Sequence, residues 1–77
     1  MKRAEVEAAV RIAARDSGLP LELENYGTFG RGQGYAVILK PGNKRLTPIG
    51  TLGEAYRYAN VIGETAWQIR LAAEVTA

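Results

Sequence analysis

The first part of the chain alternates apolar and polar residues with a helical period. Over residues 2–17, Val6, Ala9, Val10 and Ala13 define one face, while Glu7, Arg11 and Arg15 gather on the opposite side. That is the pattern of an amphipathic helix with one buried stripe. Glu7 precedes Arg11 by one turn, the favourable order for an exposed ion pair. "DSGLP" predicts a sharp stop, because Gly18 suits the left-handed position after a last turn and Pro20 bars continuation. The period then changes to two. In "LPLELENY", Leu19, Leu21 and Leu23 alternate with Glu22 and Glu24, as in a strand with its leucines inward. "YAVILK" predicts a second strand, with Tyr35, Val37 and Leu39 on one side and Ala36, Ile38 and Lys40 on the other. "PGNK" is a turn whose Gly42 and Asn43 tolerate positive φ, and a short third strand over 45–49 belongs at a sheet edge, since Pro48 has no N–H for a central ladder.

"TLGE" reads as a capping box in which the Thr51 hydroxyl and the Glu54 carboxylate each accept from the other residue's amide. It predicts a long helix running to about Glu74. Leu52, Ala55, Tyr56, Ala59, Ile62, Gly63, Ala66 and Trp67 fall on one broad face of that helix. Ala55, Ala59 and Gly63 are small and four residues apart, which permits close approach of the first helix; Gly63 costs roughly 1 kcal/mol of helix propensity relative to alanine, and close packing is its reason. The sum is a single α+β domain over residues 1–77, a two-layer sandwich in the order helix, β-hairpin of two or three antiparallel strands, long helix. The sheet face away from the helices is expected to be open and to display Glu22, Glu24 and Tyr26 beside Ala36, Ile38 and Lys40.

Between the predicted strands lies "NYGTFGRGQGYAV", with four glycines. It is not a phosphate loop: Gln33 and Gly34 stand where the lysine and hydroxyl residue of a P-loop would be. Nor does a helix follow to point its N-terminus at a dinucleotide. "RGQGYAVI" partly matches the main strand motif of RNA recognition motifs, but Gln33 and Ile38 replace the aromatics on which bases would stack. The remaining reading is a flexible recognition loop with Phe29 and Arg31 at its tip, residue types enriched at interface hot spots.

Composition narrows the chemistry. The chain has no cysteine and no histidine, which removes disulfides, thiolate metal sites and the commonest general base; no metal or cofactor is expected. The lone Asp16 and Ser17 sit at a helix end, where local hydrogen bonding accounts for them, so no enzyme activity is expected. With 47% hydrophobic and 23% charged residues the chain is expected to fold. Charged residues interrupt its N-terminus, which lacks a signal-peptide core, and a cytoplasmic location is expected. The net charge of +2 fits weak attraction to anions and argues against mimicry of DNA.

The short length, the helix–hairpin–helix order and the passage "TPIGTLGEAYRYA" resemble small phage-encoded accessory proteins, including anti-CRISPR inhibitors. The resemblance implies a non-catalytic protein-binding module that blocks a host CRISPR surveillance complex in the host cytoplasm, by sterics or by covering a nucleic-acid channel. The residues themselves nominate Tyr26, Phe29, Arg31, Tyr35, Ile38, Lys40, Lys44 and Arg45 as partner-binding. Val61, Leu71 and Val75 point away from the main face of the long helix and nominate a homodimer contact. The alternative is a small nucleic-acid-binding protein using the glycine-rich loop and the basic turn, for which Arg31, Lys44 and Arg45 are the phosphate contacts.

Overall fold

Arg3–Ser17 form the first helix, α1, and its buried residues are Val6, Ala9, Val10 and Ala13. Gly18 ends it at φ 72°, donating its N–H to the Ala14 carbonyl at 2.9 Å. The expected Glu7–Arg11 pair gives way to Arg3–Glu7, at 3.7 Å. Both partners are half exposed, so the pair contributes little to stability. The computed structural model describes residues 1–76, the side chains of Phe29 and Thr76 excepted.

Strands β1 (Leu21–Phe29), β2 (Gly32–Leu39) and β3 (Lys44–Arg45) form an antiparallel sheet in that order. The strands reach much further into the glycine-rich stretch than its composition suggests. Thr28 pairs with Gln33 and Phe29 with Gly32, so this stretch is a tight hairpin and not an open loop. Three local devices make that possible. A bulge sets Tyr26 and Gly27 against Gly34; Gly27 takes φ 82° and donates its N–H to the Asn25 side-chain oxygen at 2.7 Å; and Gly30, at φ 65°, occupies the first position of a two-residue turn that needs positive φ.

The third strand is shorter than expected. Lys44 and Arg45 pair with Leu39 and Ile38, after which the chain leaves the ladder around Pro48 and rejoins it at Gly50. Gly50 exchanges both backbone hydrogen bonds with Tyr35, at 2.8 and 2.9 Å. In between, the Val37 N–H donates to the Thr47 hydroxyl at 3.1 Å and the Val37 carbonyl accepts from Leu46 at 2.9 Å. The edge of β2 is therefore satisfied despite the proline. In the preceding turn Gly42 and Asn43 both adopt positive φ, 96° and 49°.

The second helix, α2, spans Leu52–Thr76. Its capping box is formed in both directions: the Glu54 N–H donates to the Thr51 hydroxyl and the Thr51 N–H to the Glu54 carboxylate, each at 3.1 Å. The two helices run parallel, since Val6 packs with Ala55, Ala13 with Gly63, and Asp16 meets Arg70. They cover one face of the sheet, α1 over β1 and α2 over β2. Their common core joins Ala9, Val10, Ala13 and Ala59 to Leu21 and Val37, with Leu23 and Leu39 alongside.

The opposite face is less open than expected, and here two nominated residues are corrected. Ile38 is fully buried, and so is Ala36. Ile38 lies on the central strand between Glu22 of β1 and Arg45 of β3, and the stems of such cross-strand neighbours cover a central residue from both sides. Tyr35 is only 8% exposed, because it faces the helices and packs with Val6 and Ala55. Neither residue is available to a partner.

Candidate interaction surface

The helices differ in length, and the consequence is the main surface feature of the molecule. Being parallel and in register from their first turns, α1 with 15 residues and α2 with 25 cannot end together. Ala13 faces Gly63 and α1 stops at Ser17, so the last ten residues of α2, 67–76, extend past α1 by about 15 Å at 1.5 Å per residue. Arg70 marks the crossing point: its guanidinium donates to the Asp16 carbonyl, satisfying one of the acceptors that the end of α1 leaves over.

The projecting segment is rich in uncovered apolar side chains. Trp67 is 51% exposed, Ile69 65% and Val75 85%, and Leu71 is exposed as well. Trp67 belongs by its spacing to the buried face, yet nothing of α1 remains at that height to cover it. Beside the projection, an apolar groove opens between α2 and the turn that follows α1. Leu19, Val61, Ile62, Ala66 and Ile69 line it, with Ser17 at its α1 rim. Leu19 is expected inside the sheet but lies before the first paired residue, Leu21, and is exposed.

Of the residues nominated for self-association, Val61, Leu71 and Val75 are all exposed. They do not form one narrow line: at roughly 3.6 residues per turn, Val61 and Leu71 stand about 80° apart around the helix. Val61 lines the groove, whereas Leu71 and Val75 belong to the outer side of the projection. Periodicity does not single out Ile69, which also lines the groove, and it places Leu19 inside the sheet instead. The usable signal was the mismatch in helix length, with a glycine–proline stop after residue 17 and no comparable stop before residue 76.

The polar candidates divide between two ends of the molecule. At the hairpin end, Tyr26 is 42% exposed in the bulge and Arg31 is exposed in the turn. Phe29 closes β1, and its side chain lies outside the described residues. At the other end, Lys44 and Arg45 are exposed on β3. Lys40 is half buried where its N–H donates to the Pro20 carbonyl at 2.9 Å. The length of β2 separates the two groups by about 24 Å at 3.4 Å per residue, so the structure does not gather Arg31 with Lys44 and Arg45 into one cationic patch. Arg3 has a local role, with its guanidinium carbon 5.8 Å from the centre of the Tyr35 ring. Comparison of the chain with known protein families, with characterised proteins and with solved structures finds no match.

Proposed function

We propose that the protein is a non-catalytic protein-binding module that acts by occupying a partner's surface, with the projecting end of α2 as its association surface. One observation carries this reading. Trp67, Leu71 and Val75, spaced one turn apart, form an exposed apolar stripe on the end of α2 that projects past α1, and Ile69 lines a separate groove with Leu19 and Val61. Contiguous exposed apolar surface of this kind marks interaction sites, because leaving it in water is costly. The separation of the basic groups favours a protein partner over nucleic acid, whose phosphates are best neutralised by contiguous charges. The finer reading, inhibition of a host CRISPR surveillance complex in the host cytoplasm, rests on the resemblance in length and element order and belongs to the same proposal.

Affinity capture of the tagged protein from a bacterial host lysate, with and without nuclease, tests it. The expected result is a stoichiometric protein partner that survives nuclease and is lost with Ile69→Glu. Components of a CRISPR complex among the captured proteins would support the inhibitor reading. Recovery of nucleic acid, or loss of all partners with nuclease, would overturn the proposal in favour of the basic hairpin end and β3 turn.

A further inference from the structure

We infer that the outer edge of β1 takes an extended peptide as a further antiparallel strand of the sheet, and that the peptide it fits carries basic residues on either side of an apolar one. This edge lies beside α1, at the side of the sandwich away from α2, so the inference is independent of the projecting helix end.

The ladder determines which backbone groups the edge offers. In an antiparallel sheet, alternate residues of a strand turn their N–H and C=O toward one neighbour, and the residues between them turn theirs the other way. On β2, Tyr35 exchanges its groups with Gly50, and Val37 bonds Leu46 and the Thr47 hydroxyl, so both face the β3 side. Ala36 and Ile38 therefore face β1, where they meet the backbone of Glu24 and Glu22. Lys40 keeps the same alternation, donating to the Pro20 carbonyl at 2.9 Å. On β1 this turns Leu21, Leu23 and Asn25 to the outer edge, where no strand follows among the described residues. The Leu21 N–H is used locally, donating to the Leu19 carbonyl at 2.9 Å. The Leu21 carbonyl, both groups of Leu23 and the Asn25 N–H remain for a partner outside the sheet, and a row of such groups is completed by another strand.

The side chains select the kind of strand. Beside the edge a groove opens between Glu7, Val10 and Arg11 of α1 and residues 21–23 of β1. A peptide residue opposite Leu23 exchanges both hydrogen bonds with it, and its side chain, on the helix-facing side, enters this groove beside Val10 and Leu21. An apolar residue suits that place. Glu7 is already paired with Arg3, whereas Arg11 has no ion-pair partner among the described residues and disfavours a second cation there. The neighbouring peptide residues fall opposite Glu22 and Glu24, on the outer face, in the pairs where side chains approach most closely. Neither glutamate has an ion-pair partner among the described residues, so both positions favour lysine or arginine. The same glutamates exclude a second copy of β1. A two-fold pair centred on Glu22, Leu23 or Glu24 sets a glutamate directly against a glutamate, which is destabilising. Pro20 and the bulge at Tyr26 and Gly27 bound the run, so the added strand is short.

Titration of the isotope-labelled protein with a short capped peptide containing Lys-Val-Lys, followed through the backbone amide signals by NMR, is the test. The Leu23 and Asn25 amides are expected to move most, and those of Glu22 and Glu24, already bonded to β2, less. N-methylation of the peptide valine removes the N–H that donates to the Leu23 carbonyl and is expected to weaken binding about tenfold. Glu22→Lys combined with Glu24→Lys is expected to exchange the preference, taking a Glu-Val-Glu peptide in place of Lys-Val-Lys, with circular dichroism confirming the fold. Should that variant not fold, Glu22→Gln with Glu24→Gln keeps the stems over Ile38 and is expected to bind both peptides alike. Ile69→Glu, at the projecting end of α2, is expected to bind Lys-Val-Lys as the parent does. Unmoved Leu23 and Asn25 signals, full binding of the N-methylated peptide, or an unchanged preference in the glutamate variants would overturn the inference and leave the reading of α2 untouched.

Discussion

Gly63 shows how a single position sets the distance between two elements. A Cβ built on it would lie 3.4 Å from the Ala13 Cα and 3.6 Å from the Ala13 Cβ, an ordinary contact with no room beyond it. Alanine therefore fits, and its better helix propensity offsets the crowding; a longer side chain forces the helices apart. Gly63→Ala is expected to change stability by less than about 1 kcal/mol, and Gly63→Leu to lower it by about 2–3 kcal/mol, as read from urea denaturation. Tyr26 and Ile38 provide a second contrast, since period-two reading places both on the same outward face and only one is exposed. Ile38→Ala is expected to cost about 2–4 kcal/mol through the cavity it leaves, while Tyr26→Ala costs less than about 1 kcal/mol in the same assay. If the two costs were equal, the burial of Ile38 would have no energetic counterpart.

At the scale of elements, the start of α2 is the most completely specified junction. Thr51 and Glu54 cap each other, and Gly50 precedes them because a Cβ there would lie 2.9 Å from the Glu54 carboxylate. Gly50→Ala must displace that carboxylate, and the expected loss is about 1 kcal/mol, similar to Glu54→Ala. The double variant is expected to lose clearly less than the sum, because both changes break the same contact; a thermodynamic cycle from chemical denaturation checks this. The hairpin depends on glycines in another way. Gly27 and Gly30 have open space around their missing side chains, so their requirement is backbone conformation, at φ 82° and 65°. Composition alone marks these residues as a loop, whereas the ladder from Thr28 to Gln33 shows that the positive φ values bend and close a continuous hairpin.

At the scale of the whole molecule, the parallel helices place their starts and the hairpin tip at one end and the projection of α2 at the other, in a body of 48 × 26 × 18 Å. Backbone amides of 67–75, which project past α1, are expected to exchange faster than those of 55–63, which α1 covers; hydrogen exchange read by mass spectrometry separates the two segments.

The order of elements, the buried stripe of α1, the capping box and the small-residue track of α2 are all legible in the chain, because each depends on residues within a few turns or on a period that local geometry dictates. The stop at Gly18 and Pro20 is legible for the same reason. What the chain leaves open depends on contacts between distant residues. Whether Ile38 or Tyr26 is covered follows from which strand is central and what lies across from it, and Tyr35 turns inward because Val6 and Ala55, far away in sequence, meet there. Trp67 is exposed for the corresponding reason: periodicity assigns a residue to a face, but only the parallel alignment of two unequal helices determines where along that face the covering ends.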